Sequence, residues 1–220
     1  MIKKVNLNLN LTRFITKKLV FMIFSLLSRR SFTKPWKRIM SSESTTPVTT
    51  VPNPELNISK FDIRIGLITS IAKNPNADTL YVETIDLNES TGPRQVLSGL
   101  IKYMTESELL NQKVLVCCNL KPAKMRGMDS FGMLLAADKD DKVVLVQPPV
   151  DAQIGERISV EGFTAEPQIQ IDGKKADAPL FAAVFNELKS DSTGVACYKG
   201  IPLMTSKGPC TCVFTDAPIH

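Results

Sequence analysis

The densest group of side chains that could bind another molecule lies between residues 119 and 133. Lys121, Lys124 and Arg126 fall close together, and a small group of cations can hold phosphate oxygens. Neutral hydrogen-bonding groups and apolar contacts accompany them: Asn119, Ser130, Met125 and Met133. Folded RNA offers phosphates, riboses and unpaired bases to such a mixture. The stretch therefore predicts a binding surface for structured RNA.

Two residues outside this stretch complete the predicted set. Lys113 is assigned to a phosphate and Ser98 to a neutral hydrogen bond. Structural explanations stay open beside the binding ones. Met133 also suits the core, Ser98 could form a tight turn with Gly99, and Asn119 could bond to the backbone of its own loop. Because no aromatic platform is evident here, we expect recognition by shape and backbone, with weak sequence specificity and marked salt dependence.

The charge distribution supports a local anion-binding surface. The chain has a net charge of +5 over 220 residues, but residues 1–40 hold ten Lys and Arg and no acid. The remaining residues carry 17 Lys and Arg against 22 Asp and Glu, a net charge of −5. Within them, residues 90–128 reach +4. A basic island on an acidic body indicates focused anion binding, although a solvated surface run is the plainer alternative.

Little in the sequence favours catalysis. The only histidine is His220, which removes the commonest general base and metal ligand from an interior site. The nucleotide-binding and hydrolase motifs GxGxxG, GxxxxGK[ST] and GxSxG do not occur. Five cysteines without a CxxC pair suggest neither a disulfide framework nor a zinc site. We expect no catalytic activity, no metal and no cofactor.

Short alternating segments predict the elements that position the candidate residues. Strands are expected at 63–71, 80–87, 94–98, 113–118, 131–137 and 142–147, with Ile63, Ile65, Leu67, Thr69 and Ile71 on one face of the first. A turn is expected at 74–78, and a short helix at 106–111 with Thr105 as its N-cap. This order predicts a mainly β fold built as a small closed barrel.

The pattern changes after Gly162. Asp177 can cap a helix whose apolar stripe comprises Leu180, Phe181, Val184, Phe185 and Leu188. Short strands are expected around 195–198 and 210–214. A helix with such a stripe must pack against another surface, so these residues predict an α+β extension from 163 to 220.

The N-terminal segments are set apart by composition. Residues 1–40 form a basic leader with an apolar run at 19–27, which is shorter than the about 20 residues that span a bilayer. Three interpretations of this leader stay open: a transit peptide, a signal peptide, or an extension upstream of an initiator at Met40. Residues 41–59 form a linker in which eleven of nineteen residues are Ser, Thr or Pro. The first folded domain is expected at 60–162.

Four segments together resemble the tRNA-binding domain family: 61–66, 74–83, 98–100 and 119–127 with Ser130, Gly132 and Met133. That family includes C-terminal domains of methionyl-tRNA synthetases, free-standing tRNA-binding proteins, yeast-type synthetase cofactors and the multisynthetase-complex component that yields endothelial-monocyte-activating polypeptide. The resemblance implies a five-stranded OB-fold barrel. It also implies tRNA as partner, and possible association with an aminoacyl-tRNA synthetase or multisynthetase complex.

The segment 163–220 is similar to the extension of the endothelial-monocyte-activating polypeptide II-like and tyrosyl-synthetase branch, notably at 196–202. The resemblance implies that the extension covers the surface through which simpler relatives dimerise, so a monomer is expected. Two positions depart from the family. Asn74 stands where the family often has His, and Phe131 stands where it often has Gln or Glu, which argues against one possible polar contact to a base or sugar.

The resulting hypothesis is a non-catalytic tRNA-binding auxiliary factor for aminoacyl-tRNA synthetases, in the cytoplasm and without membrane association. Localisation in a mitochondrion or plastid is the alternative if residues 1–40 are a transit peptide. A synthetase activity conflicts with the absence of HIGH-type and KMSKS-type signatures. A protein-interaction or cytokine-like signalling module on the same fold is the other alternative, since 64–69 resembles the segment associated with that activity.

Overall fold

The computed structural model describes residues 56–220, and the predicted leader at 1–40 and most of the predicted linker at 41–59 lie outside them. The strands, in chain order, are β1 (Ile63–Asn74), β2 (Ala77–Asp86), β3 (Arg94–Ser98), β4 (Lys113–Cys117), β5 (Ala123–Met125), β6 (Met128–Ser130), β7 (Met133–Leu134), β8 (Ala136–Lys139), β9 (Lys142–Leu145), β10 (Leu188–Ser190), β11 (Ala196–Tyr198), β12 (Ile201–Pro202), β13 (Met204–Thr205) and β14 (Gly208–Pro209). The helices are α1 (Glu106–Leu109) and α2 (Ala178–Phe185), and a 3-10 turn occupies Ile58–Lys60. The described chain is thus mainly β, as predicted.

The principal sheet has five strands in the order β3-β2-β1-β4-β7, all antiparallel. A register shift between Ile68 and Ser70 interrupts the pairing of β1 with β2. Ile68 is buried and Thr69 is exposed. The prediction that β1 has a single apolar face is therefore wrong beyond Ile65. The strand is packed on both sides, and the bulge changes the alternation of its side chains.

Both faces of β1 and β4 are buried, each in a different apolar cluster. Val114 and Val116 of β4 pack with Ile68 and Ile85 on one face. The first cluster also contains the helix residue Leu109. On the other face, Leu115 packs with residues of the C-terminal region. A strand covered on both faces reads as a continuous apolar run, which explains the sequence of residues 114–118.

Aromatic side chains join α2 to the start of β1. The Phe61 ring lies edge-on to Phe181 and Phe185, at centroid distances of 6.1 and 5.5 Å. Leu180 and Val184 are buried in the same cluster as Ile63. The apolar stripe of α2 therefore packs against the face of the principal sheet that carries Ile63 and Leu115. Tyr198 of the extension strand β11 belongs to the same cluster.

Several element boundaries differ from the sequence prediction. The predicted strand 131–137 is divided into β7 and β8, because Leu135 bonds in turn to Leu115 and Val146. The predicted strand 210–214 forms only isolated bridges through Thr211. Leu188 belongs to β10 instead of the helix, which ends at Phe185. The predicted N-cap Thr105 forms a capping box with Glu108, as its spacing indicated.

The cysteines act as small buried hydrophobic side chains. Cys117, Cys118, Cys197 and Cys210 are buried, and all five cysteines are unpaired. Burial raises the pKa of the Cys118 and Cys210 thiols to about 12. Within residues 56–220, no cluster of three or more His, Cys, Asp or Glu could hold a metal ion. In the same described range, no helix is long and apolar enough to span a membrane.

Candidate nucleic-acid interface

The hairpin of β5 and β6 carries two of the predicted cations. Met125 pairs with Met128, so Arg126 and Gly127 form a two-residue turn. Their φ values are 49° and 90°. Positive φ at both central positions defines a type I′ turn, where Asn and Gly are preferred. Lys124 and Arg126 are both exposed. The hairpin therefore presents a cationic tip in a backbone conformation that is unfavourable for arginine.

The turn between β1 and β2 lies against this hairpin. A Cβ at Gly127 would lie 3.3 Å from the Asn76 amide nitrogen, so the two turns are in near contact. The Asn74 side-chain oxygen accepts a hydrogen bond from the Asn76 N–H at 2.8 Å and fixes the turn. Lys73 is exposed at the end of β1. Sequence reasoning missed Lys73 and Asn76, because only the fold brings residues so distant in sequence together.

The cations differ in how far they are already neutralised. The Lys121 ammonium lies 3.1 Å from the Asp172 carboxylate. Within residues 56–220, neither Lys124 nor Arg126 forms a salt bridge, although Asp129 stands opposite Lys124 in the hairpin. Lys124 and Arg126 are consequently the best placed to meet phosphates.

Lys113 is separated from the other predicted residues. It begins β4 while Asn119 follows the end of that strand, so about 20 Å of extended chain divides them. Its ammonium donates to the carbonyls of Val150 and Ala152 at 2.6 and 2.7 Å. Any phosphate contact by Lys113 would belong to a separate point on the surface.

Asn119 is buried and makes three hydrogen bonds that join distant segments. Its Oδ1 accepts from the Asp62 N–H at 3.0 Å. Its Nδ2 donates to the carbonyls of Lys60 and Gln168, each at 2.9 Å. These bonds agree with the alternative that Asn119 has a structural role. They reach beyond its own loop, because they join three segments that are distant in sequence. A direct contact with RNA stays a prediction.

Ser98 and Ser130 are also buried, in adjacent strands. The Ser130 hydroxyl accepts from the Leu97 N–H at 3.0 Å and donates to the Gly132 carbonyl. The Ser98 hydroxyl donates to the buried carboxylate of Glu83, whose other oxygen has no hydrogen-bond partner. Burial raises the pKa of Glu83 to about 7, and the bond from Ser98 opposes this shift.

The two predicted apolar contacts have different surroundings. Met125 is half-buried in β5, beside the cationic turn. Met133 pairs with Cys117 and packs against the cluster that includes the C-terminal region. The structure therefore brings Met125, Lys124 and Arg126 together in one hairpin, whereas Met133 contributes mainly to the core.

Phe131 is a further candidate, and its exposure was not anticipated. Its side chain is 42% exposed and lines a groove of about 500 Å³. Arg94 supports this loop by donating to the carbonyls of Phe131 and Cys118. The stretch therefore exposes one aromatic ring that the sequence analysis did not count as a platform. The sequence signal that could have pointed to this exposure is the position of Phe131, which lies beside Gly132 and departs from the family pattern.

Comparison with known proteins identifies relatives of the described domain. A family model described as a tRNA binding domain matches residues 63–157. A cytoplasmic methionine–tRNA ligase of Arabidopsis thaliana is 44% identical over 158 residues, covering 71% of this chain and 19% of the ligase. The aminoacyl tRNA synthase complex-interacting multifunctional protein 1 of Cricetulus griseus is 38% identical over 156 residues, covering 70% of this chain and 42% of that protein.

A solved structure extends the similarity to the C-terminal region. The C-terminal domain of Plasmodium vivax p43 superposes with a TM-score of 0.69 and 32% identity, covering 74% of this chain and 98% of that domain. This coverage exceeds the stretch matched by the family model. The chain spans only a minor part of the ligase and of the multifunctional protein that it resembles. The match to the family model and the similarity to the p43 domain together show that this chain belongs to the tRNA-binding domain family.

Proposed function

We propose that this chain is a non-catalytic tRNA-binding module that serves aminoacyl-tRNA synthetases as an auxiliary factor. The observation that carries the proposal is the cationic β5–β6 hairpin, which holds Lys124 and Arg126 against the β1–β2 turn. Neither cation is neutralised by a carboxylate among residues 56–220. Phosphates of a folded RNA would complete their electrostatic pairing.

The proposed contacts follow the arrangement of side chains. Lys124, Arg126 and Lys121 would bind phosphates, and Lys121 would first have to leave Asp172. Met125 would supply an apolar contact beside the turn. Lys113 would meet a phosphate at a separate point. The remaining predicted residues, which are Asn119, Ser98, Ser130 and Met133, would shape the surface or meet RNA through atoms that their internal bonds leave available.

The principal sheet is proposed to close as a five-stranded OB barrel. Support comes from its edges, since the Phe131 N–H donates to the Gln95 carbonyl at 2.9 Å. This bond links β3, one edge of the sheet, to the residue two positions before β7, the other edge. Closure would remove exposed edges and enclose the cluster around Val116.

Residues 60–162 are proposed as the barrel domain and 163–220 as its extension. The α2 aromatics cover the outer face of the sheet at Phe61, which is 2% exposed. If relatives without an extension dimerise through that face, its coverage here would leave a monomer. Sedimentation equilibrium of the full chain would test this, and a stable dimer would contradict it.

The proposed partners are aminoacyl-tRNA synthetases, and the proposed compartment is the cytoplasm. The relatives' names point to synthetases or a synthetase complex, and one relative is a cytoplasmic ligase. We accordingly propose a cytoplasmic protein, with organellar import as the alternative if residues 1–40 direct it. Mass spectrometry of the mature N-terminus would distinguish removal of this leader from its retention.

An electrophoretic binding assay tests the function. Residues 55–220, which lack the ten cations of the leader, are titrated into tRNA with an unstructured RNA of equal length as competitor, at several salt concentrations. For about four phosphate contacts, log affinity should fall with log salt at a slope of about −3 to −4. Equal affinity for the two RNAs would reduce the function to general nucleic-acid binding. Turnover in an aminoacylation or ATP-exchange assay would contradict the non-catalytic assignment.

A further inference from the structure

A groove beside the hairpin has walls unlike the rest of the basic surface. It measures about 500 Å³ and lies between the β2–β3 loop, residues 118–122 and residues 169–170. Two of its lining side chains are large exposed hydrophobics, Phe131 at 42% and Ile169 at 101% of full exposure. Large apolar side chains left in contact with water along one groove favour an apolar, flat ligand.

Arg94, a cation that lines the groove, is already neutralised. The Arg94 guanidinium donates through Nε and Nη2 to the two oxygens of Glu89, each at 2.6 Å. Its Nη1 donates to the carbonyls of Cys118 and Phe131. With its charge paired and four of its five N–H donors occupied, Arg94 holds the loop in place and offers little to a phosphate. The groove therefore suits a neutral group better than an anion.

The groove is continuous with the cationic hairpin. Gln95 lines it and donates from its side-chain amide to the Asp129 carbonyl at 2.7 Å. Asp129 stands opposite Lys124 in the hairpin. A ribose-phosphate backbone held by Lys124 and Arg126 would thus run along the rim of the groove. The group that such a backbone can turn into it is a nucleobase.

We propose that the groove takes an unpaired nucleobase of the bound tRNA, stacked on Phe131, an inference that rests on the function proposed above. Every base has a π face that an aromatic ring can stack on, which makes such a contact tolerant of sequence. Gln170 is exposed and lines the same groove, so its amide can meet the edge of the base.

Binding of full-length variants to two RNAs tests the proposal. The RNAs are a tRNA transcript and a blunt, fully paired RNA duplex, which has no unpaired base. The test variants are Phe131→Ala and Phe131→Tyr. Val213→Ala is the matched control, because Val213 is an 80% exposed apolar side chain outside the groove lining. Thermal unfolding of each variant checks that the fold is retained.

Phe131→Ala should weaken tRNA binding about tenfold, within the range expected for loss of one stacked base. Its affinity for the duplex should be unchanged, and Phe131→Tyr and Val213→Ala should bind tRNA as the original chain does. An unchanged affinity of Phe131→Ala for tRNA overturns the proposal. An equal loss for both RNAs also overturns it, because the groove would then hold backbone instead of a base.

A fluorescence measurement provides an independent readout. The chain has one tryptophan, Trp36, outside the described residues. In a Trp36→Phe background, Phe131→Trp places the only indole in the groove. Addition of tRNA should quench it and addition of duplex should not, whereas equal emission changes overturn the proposal. Failure of the proposed function has a different readout. In that case the original chain would show no preference for tRNA over unstructured RNA.

Discussion

The Asn119 side-chain oxygen accepts a hydrogen bond from the Asp62 N–H at 3.0 Å, across 57 residues of sequence. Together with the bonds from its amide to Lys60 and Gln168, this contact joins the start of β1, the end of β4 and the C-terminal region. Asn119 and Asp62 are both buried, where an unsatisfied polar group is costly, and the other two bonds are partly buried.

Asn119→Ala should therefore destabilise the fold by about 2–4 kcal/mol, since it leaves three backbone groups without their partner. Urea unfolding followed by circular dichroism measures this free energy. Asn186→Ala is the control, because Asn186 is exposed at the end of α2 and lies outside the candidate interface. A loss of tRNA affinity without a loss of stability would instead identify Asn119 as a direct contact.

Arg126 occupies a left-handed backbone conformation that costs a non-glycine residue about 1–2 kcal/mol. Arg126→Asn should raise the free energy of unfolding by about 0.5–1 kcal/mol, because asparagine tolerates this conformation better. The same change should weaken tRNA binding and reduce the magnitude of the salt slope by about 1. Thermal unfolding and salt titrations provide the two measurements, and parallel changes in stability and affinity would contradict the expectation.

Lys124 and Lys189 are both exposed strand lysines, but only Lys124 lies in the cationic hairpin. Lys124→Ala should weaken tRNA binding several-fold at low salt and reduce the salt slope by about 1. Lys189→Ala, in the extension, should leave both quantities unchanged. Lys113→Ala in the same series tests the separate contact. Retention of full affinity by Lys124→Ala would remove the hairpin from the interface.

Glu83 makes stability depend on pH. Its folded pKa of about 7 lies above the unfolded value, so the folded state binds the extra proton between these two pKa values. The free energy of unfolding should be highest below about pH 4.5 as far as Glu83 is concerned, fall as pH rises to about 7, and then level off. The total change should be about 3 kcal/mol.

Glu83→Gln keeps the shape of the side chain and removes the titration. The variant should lack the fall in the free energy of unfolding that Glu83 causes across this pH window. Its free energy of unfolding should exceed that of the original chain most clearly near pH 8. Urea midpoints measured from pH 4.5 to 8 provide the comparison. A pH profile that is the same in the two proteins would show that another group is responsible.

The order of the short β elements was predictable because their alternation, turns and caps are local properties. The Thr105 capping box, the exact span of β3 and the apolar start of α2 all follow from neighbouring residues. The divided strand at 131–137 and the bulge in β1 were not predictable. They depend on which distant strands pair on each side, as Leu135 illustrates by bonding to both Leu115 and Val146.

For the candidate interface, the sequence by itself determined which residue types are clustered: the cations and glycine of 119–133 and the absence of common catalytic motifs. Only the tertiary structure decided their availability. It placed Lys113 apart, paired Lys121 with Asp172, buried Asn119, and exposed Phe131 in a groove. The physical reason is that burial and ion pairing depend on contacts between residues far apart in the chain, which residue type and spacing do not specify.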